Sequence, residues 1–550
     1  MRSTPRSLLP RQAWLSPLCQ RLGALLVALV CLGVGTLDSD SDAEAQAPAR
    51  PNFIIVMSDD QGPGMMRALP AVARLIGGRG SECENAIASL PLCCPARATL
   101  HTGQYAHNHG AKGNNPGSGG GYSALRDPER NLAAWLQAGG YDTAFAGKWL
   151  NGLRTPRLAP PGWDEWWSLV GAGGEGLSSF YDYDVFEQGA EPRHFGTRVA
   201  DYQTDALTRE YALPFVAEHA IDPDPFFLWL AYHPPHNGLG RADAAGRRCS
   251  TGPPGSREGE QSAIPAPRHA RRYSRARAPR PPSFDEADVT DKPALVRRRP
   301  RLDRTDLERI ERDYRCGLAA LLALDQAVEA IVSELRETGQ LERTVLVFTA
   351  DHGVLAGEHR IPRGKNQPYE EAIGVPLMIS GPGVARGRRV AAPVANADLA
   401  PTILELARAS PPAELARPID GRALVPQLAG TVGGRDRAIQ IEGRDNTVRT
   451  RHGFKVRSYV GVRTSRYSYV EYRRAGFDSR ADGIAAAIGA GRTTERELYD
   501  LPRDPHQLAN RDRDPRYAAA RTALAALLAR LERCSGPECV VAKRVPRPSR

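Results

Sequence analysis

The 550-residue chain has no internal repeat, and its composition excludes a collagen-like rod. Beyond residue 37 no sequence run is both apolar and long enough to cross a bilayer, which excludes a multi-span membrane protein. No GxxxxGK pattern occurs, and the Gly117-Ser118-Gly119-Gly120-Gly121 stretch reads as a flexible turn, not a phosphate cradle. Neither sign of charge dominates. The 73 Lys and Arg against 63 Asp and Glu leave +10, which permits acidic partners without requiring nucleic acid. With 41% hydrophobic and 25% charged residues, the chain is not wholly disordered. At this length a sizeable core is assured. About 150 residues per domain would give three or four units, although large α/β enzymes often carry one big sheet and a small appendage.

The chain begins like an export signal. Arg2, Arg6, Arg11 and Arg21 precede the apolar run 22–37 (LGALLVALVCLGVGTL), and Ala43-Glu44-Ala45-Gln46-Ala47 follows. A basic start, a short apolar stretch and an A-x-A pattern describe a secretory signal peptide over 1–47, cleaved near Ala45 or Ala47. The alternative, a retained anchor, needs about 20 apolar residues and finds fewer. Val30 is too bulky to precede a lipidated Cys31. The leader holds four Arg and four acids, so its removal leaves the charge at +10. The mature protein is therefore expected to be secreted or extracytoplasmic, with no stable membrane span.

Nine cysteines minus Cys19 and Cys31 leave seven, an odd number that strands one thiol. The other six allow up to three disulfides in an oxidising compartment. Cys534 and Cys539 enclose only Ser-Gly-Pro-Glu, which makes a local loop plausible.

Short apolar runs at 52–57, 141–146, 226–232, 344–349 and 375–379 read as strands buried on both faces. Helical patterns lie at 131–138, 202–219, 307–338 and 398–407. Polar residues cluster just past the strand ends, where ligands bind in open α/β sheets. Residues 238–304 break the pattern with Gly, Pro and Arg, including Arg268, Arg271, Arg272, Arg275, Arg277, Arg280 and Arg297-Arg298-Arg299. They read as an insert or long loop with little core of its own, either simply solvated or polyanion-binding. From 437 onward, strand alternation at 452–472 and a helix at 517–533 predict a smaller α+β domain.

One constellation carries chemistry. Asp59-Asp60 stand past one strand end, and two neighbouring buried anions need a cation or a shared proton. Asp351-His352 repeat the arrangement at another. Three carboxylates and an imidazole suit Ca²⁺ or Mg²⁺ better than a thiolate metal. A single acidic pair could be a cap or a turn; two such pairs weaken that reading. Cys93-Cys94-Pro95-Ala96-Arg97 opens a helix, with Pro95 in its first turn. A helix start favours anions, and Arg97 adds a guanidinium fork. Lys148, Lys365, His233 and His236 add cationic or proton-transferring groups. Together these groups fit transfer of a phosphoryl or sulfuryl group.

Cys93-x-Pro-x-Arg97 with the trailing Thr102-Gly103 resembles the signature of type I sulfatases. Further similar motifs follow in order: PNFIIVMSDDQG (51–62), FAGKWLNG (145–152), YHPPH (232–236), TADHG (349–353), GKNQPYEEAIGVPLMISGPG (364–383) and ELYDLPRDPHQLAN (497–510). The Cys-Cys form, GKWLNG and PRPPSFDEADVTDKP (279–293) look most similar to the N-acetylglucosamine-6-sulfatase branch. The resemblance implies an α/β fold in which helices sandwich a large mixed, alkaline-phosphatase-like sheet. The catalytic domain would span 48–436 and the smaller C-terminal domain 437–550.

It also implies a sulfuric ester hydrolase acting on a sulfated sugar or glycosaminoglycan. Cys93 would be oxidised to Cα-formylglycine by a formylglycine-generating enzyme, leaving six thiols. Asp59, Asp60, Asp351, His352 and the modified Cys93 would bind Ca²⁺, with Mg²⁺ second. Arg97 would stabilise the formylglycine, and Lys148, His236 and Lys365 would hold sulfate or pass protons. His233 is the neighbouring alternative to His236. A hydrated aldehyde offers one hydroxyl to attack sulfur and a second whose deprotonation releases sulfate, whereas a serine would be trapped as an ester.

Two positions depart from the family pattern. Ala96 replaces the usual Ser. Leu150 stands where many sulfatases carry a histidine, and Asn151 beside it can donate a hydrogen bond but cannot act as a base. His101, His107 and His109 are read as structural at least as readily as pocket-lining. Trp163, Trp166 and Trp167 read as a hydrophobic cluster more readily than a sugar platform. The competing functions are an arylsulfatase, a phosphonate or phosphate monoester hydrolase on the same scaffold, and a catalytically silent polyanion binder. Mass spectrometry of the peptide spanning 80–97 is expected to show Cys93 lighter than a thiol by about 18 Da; an ordinary thiol in active protein overturns that chemistry.

Overall fold

Each of the five apolar runs expected as strands forms one, and they occupy the middle of a single large sheet. The computed structural model describes residues 50–116, 119–153, 158–170, 180–238, 249, 262–432, 437–444, 458–473, 493–542 and 544–549. The leader, Gly117-Ser118, most of 239–261 and residues 452–457 of the expected C-terminal strand pattern lie outside the described residues.

In chain order the first eight strands are β1 (Asn52–Ser58), β2 (Gly80–Cys83), β3 (Ala86–Ile87), β4 (Asp142–Lys148), β5 (Glu165–Val170), β6 (Tyr183–Glu187), β7 (Arg193–Phe195) and β8 (Phe226–Ala231). The remainder are β9 (Thr344–Ala350), β10 (Leu377–Ser380), β11 (Arg388–Val390), β12 (Val394–Ala395), β13 (Ile439–Gly443), β14 (Tyr459–Arg463), β15 (Tyr467–Arg473) and β16 (Thr493–Asp500). Ten of them make one mixed sheet in the order β11-β2-β10-β9-β1-β8-β4-β5-β6-β7. Its centre, β9-β1-β8-β4-β5, is parallel. The antiparallel strands β10 and β6 flank that centre.

The central strands are buried on both faces, and their side chains alternate. Phe53, Ile55 and Met57 pack into one hydrophobic cluster with Val345 and Val347. Ile54 and Val56 pack into another with Leu346 and Phe348. The second face is covered by the helix Arg304–Glu337, begun by a capping box in which Asp303 accepts the Asp306 amide at 2.8 Å. Its buried Leu321, Leu324, Val328, Ile331, Val332 and Leu335 recur at helical spacing. By composition this helix, alone among the described residues, holds an apolar window of membrane-crossing length, which the sequence reading did not register. Most of that window is buried in the core, so the run is explained by packing.

A separate antiparallel sheet, β13-β14-β15-β16, is backed by the helix Ala518–Leu531 through Leu524, Leu527, Leu528 and Leu531. The described part of the Arg/Pro-rich stretch has only a 3-10 turn at Pro267–His269 and a short helix at Ala294–Arg297. It is nonetheless anchored, because Ala263, Ile264 and Ala266 pack with Phe180, Tyr181 and Tyr202. Two disulfides, Cys534–Cys539 and Cys249–Cys316, are present. Cys83 and Cys94 are buried free thiols that form no third bridge, so cysteine parity alone does not single out Cys93.

Leu321→Ala is expected to lower unfolding stability by about 2–5 kcal/mol, because it empties a fully buried site under the sheet. Urea denaturation checks it, and an unchanged midpoint would contradict the packing described.

Candidate active site

Four adjacent parallel strands end on one side of the sheet and deliver its polar groups. The register pairs Ser58 with Ala350, so Asp59-Asp60 after β1 and Asp351-His352 after β9 emerge side by side. On the other flank Met57 pairs with Ala231, and the chain after β8 carries His233 and His236. The next strand, β4, ends at Lys148. Gly147 precedes it at φ 116°, where a Cβ would lie 2.1 Å from the Ala231 carbonyl oxygen. Only glycine fits that approach, so it fixes where Lys148 leaves the sheet.

The fully buried helix Cys93–Thr102 meets these strand ends with its N-terminus. One turn in, the Arg97 Nε donates to Asp351 Oδ2 at 3.0 Å, its Nη2 lies 3.4 Å from Asp59 Oδ2, and its Nη1 donates to the Lys148 carbonyl. Lys148 Nζ donates to Asp59 Oδ2. Lys365 Nζ donates to Asp60 Oδ1 at 2.9 Å and stands 3.2 Å from the Cys93 sulfur and 3.4 Å from His236 Nε2. Burial alone would raise the Asp59 carboxyl, but Lys148, His236 and Arg97 outweigh it and hold it well below the usual range. Asp60 is likewise lowered against burial, chiefly by Lys365. The Cys93 thiol is pulled down by Lys148 and Lys365 despite its burial. His352 is pushed up to about 9, because Asp351 and Asp60 overcome burial.

Ligand atoms of Asp59, Asp60, Cys93 and His352 lie within 4.8 Å of one another. Within that buried group Asp59 Oδ1 has no hydrogen-bond partner, and His352 Nε2 stands 3.2 Å from Asp60 Oδ1. The His352 Nδ1 is 2.8 Å from the Gly353 carbonyl, which leaves Nε2 to face a ligand. Carboxylate oxygens, one of them unpartnered, and one oriented imidazole fit a hard divalent cation. Asp351 stands at the edge of this group. Its Oδ1 accepts the Asp60 and His352 amides at 3.0 and 2.9 Å, while its Oδ2 accepts from Arg97.

All the expected residues therefore converge. The structure adds one that the sequence reading passed over. Arg363, a quarter exposed, approaches Asp60 Oδ2 and Asp313 Oδ2 at 3.4 Å each and donates to Asn237. Its only sequence signal is a position two residues before Lys365. His233 and His236 differ in access, with side chains 1% and 20% exposed. Asn151 leaves its Oδ1 buried and without a partner, and Leu150 packs in the core.

The remaining candidates are structural. Trp163 and Trp166 are buried in an aromatic cluster with Phe145, Trp149 and Trp229, while Trp167 packs on Tyr211. His101 stacks on Trp163 in that cluster, and His109 bonds Thr99 at 3.1 Å. His107 sits between Glu442 and the Cys534 carbonyl.

The comparisons with known proteins agree with this architecture. Residues 51–409 match the family model described as Sulfatase. The chain belongs to the sulfatase family. It is similar to the Caenorhabditis elegans extracellular sulfatase Sulf-1 homolog, 31% identical over 69% of this chain and 49% of that protein. It thus spans about half the length of that relative. The human N-acetylglucosamine-6-sulfatase is 30% identical over 75% of this chain and 69% of its own length. Among solved structures, BT4656 in complex with its substrate D-glucosamine-2-N,6-O-disulfate superposes with a TM-score of 0.66. It is 23% identical and covers 87% of this chain and 97% of its own, which supports the alkaline-phosphatase-like fold.

Burial holds His101 down to about 3. In the unfolded chain it titrates near 6.5, so as pH falls from about 6.5 to about 3 the unfolded state alone gains its proton and stability is lost. His101→Leu is expected to make unfolding free energy about 1.4 kcal/mol per pH unit less steep inside that window. Denaturant melts across pH test it, and an unchanged slope contradicts a neutral buried His101.

Proposed function

We propose that this chain is an exported sulfuric ester hydrolase that removes sulfate from a sulfated sugar or glycosaminoglycan. The carrying observation is the placement of Cys93 at a buried helix start, 3.2 Å from Lys365 and inside the acidic group that suits a divalent cation. The family membership supports the reaction class. The substrate named for BT4656 and the names of the curated relatives support a sulfated sugar.

In this reading residues 1–47 are removed on export, 48–436 form the catalytic domain and 437–550 the smaller one. A formylglycine-generating enzyme converts Cys93, and Asp59, Asp60, Asp351, His352 and residue 93 hold Ca²⁺, with Mg²⁺ second. When present, the hydrated aldehyde supplies a nucleophilic hydroxyl and the cation acidifies it. Arg97 orients Asp59 and Asp351 through two contacts and, through a third to the Lys148 carbonyl, keeps the helix start seated on the strand ends. Lys148 and Lys365 bind sulfate oxygens in a water-poor site, where fixed cations stabilise developing charge well.

His236 protonates the leaving alkoxide. Its Nδ1 faces the Asn237 carbonyl at 2.8 Å, so Nε2 is the atom turned toward Lys365 and the substrate. The lesser exposure of His233 fits a supporting role beside Asp59. Arg363 and Lys365 release Asp60 to the cation and turn to the substrate anion.

With aldehyde conversion verified by mass in the wild type and in Lys365→Ala, both Cys93→Ala and Lys365→Ala are expected to cut turnover of 4-nitrophenyl sulfate by at least about a hundredfold without altering circular dichroism. Full turnover by either variant overturns its role. Faster cleavage of the paired phosphate ester favours the phosphatase reading, and heparin retention with no turnover of any ester favours the silent binder.

A further inference from the structure

The catalytic centre makes no use of the arginines in the anchored part of the Arg/Pro-rich segment. Arg271, Arg272, Arg275 and Arg277 are all exposed, and among the described residues none has a carboxylate partner. Their neighbours differ: Arg268 is paired with Asp205 and Arg280 with Glu311. Tyr273 and Ser274, which stand among the four in sequence, line a cavity of about 280 Å³ together with Arg312, Arg315 and the Cys249–Cys316 disulfide. Arg315 also lacks an acidic partner among the described residues. Like charges held together at a surface raise its potential, and guanidiniums match the planar spread of sulfate and carboxylate oxygens.

The patch is held in place. His269 Nε2 lies 2.9 Å from Gln326 Oε1 on the long helix, and Arg67 lies over the Tyr273 ring. Ala263, Ile264 and Ala266 root the preceding turn in the core. A preorganised patch loses less entropy on binding than a floppy basic tail. Arg312 of the cavity wall is also tied to the candidate site by a relay of polar contacts. Arg312 Nε donates to Ser262 Oγ at 3.3 Å, and Ser262 Oγ donates to Asp313. Asp313 meets Arg363 at 3.4 Å, and Arg363 meets Asp60. The cavity-lining arginine is therefore four contacts from the acidic group.

We propose that this cavity and its arginine rim are a second docking site, for the anionic stretch of a sulfated polysaccharide that flanks the ester under attack. The proposal rests on the reading of the cleft as a sulfated-sugar site. The reading of that cleft as a sulfated-sugar site, together with the polar contacts that tie Arg312 to it, is why a saccharide is favoured over a nucleic acid as the polyanion.

The test uses the full chain with aldehyde conversion verified. It compares the wild type, the combined Arg271→Ser, Arg272→Ser, Arg275→Ser and Arg277→Ser variant, and Arg315→Gln. The probes are a heparin octasaccharide measured by calorimetry at several salt concentrations, a duplex DNA of matched charge, and 4-nitrophenyl sulfate. The combined variant is expected to lose octasaccharide affinity at least about tenfold, with a shallower salt dependence, and Arg315→Gln to lose a smaller part. For both, kcat/KM on 4-nitrophenyl sulfate should stay within about twofold of wild type, because no rim arginine touches the small ester. Unchanged octasaccharide affinity in the combined variant, no octasaccharide binding by the wild type, or tighter binding of DNA overturns the docking site. Absence of sulfate ester cleavage alongside intact, arginine-dependent octasaccharide binding refutes the catalytic reading instead and leaves the surface standing.

Discussion

Two adjacent carboxylates cannot both stay ionised inside a protein unless positive charge is brought to them. Asp59 and Asp60 are both almost fully buried, and much of the surrounding structure answers that demand. Arg97 and Lys148 converge on Asp59, while Lys365, His352 and Arg363 converge on Asp60. These cations come from a helix, two strand ends and a loop. Losing any one partner leaves an uncompensated buried charge, which costs far more than a surface ion pair is worth. The same arrangement makes a centre rich in both signs, able to hold a divalent cation on one side and an anionic ester on the other.

The strand order makes this economical. Because β9, β1, β8 and β4 are neighbours and parallel, residues far apart in the chain leave the sheet within one patch. The opening helix then needs only to aim its N-terminus at that patch. Arg97 reaches back to the Lys148 carbonyl and forward to Asp351, so it clamps the helix onto two strand ends at once.

Much of this is legible without coordinates. Phe53 to Met57 and Val345 to Thr349 read as strands because burial on both faces demands unbroken apolar runs. The acidic pairs are visible because each is contiguous in sequence and follows such a run. Strands β5, β6 and β7, on one flank of the sheet, were not foreseen, because Glu165, Asp184, Glu187 and Arg193 interrupt their apolar pattern. Arg363 was hidden for another reason: its contacts with Asp60 and Asn237 span 303 and 126 residues, and no local pattern announces them. The Cys534–Cys539 loop is short enough to read from spacing, whereas Cys249–Cys316 closes 67 residues and is not. The Arg/Pro-rich stretch read as mostly solvated because its few apolar residues, such as Ile264, find their partners on other elements.

Asp60 has a backbone as unusual as its charge, with φ at 62° in the left-handed region. Asparagine tolerates that conformation nearly as well as aspartate, whereas alanine and β-branched residues do not. An amide at this position would therefore isolate electrostatics from geometry, and any smaller apolar side chain would confound the two. At the neighbouring Asp59 no such restriction applies, so paired replacements at the two positions carry unequal information about charge and shape.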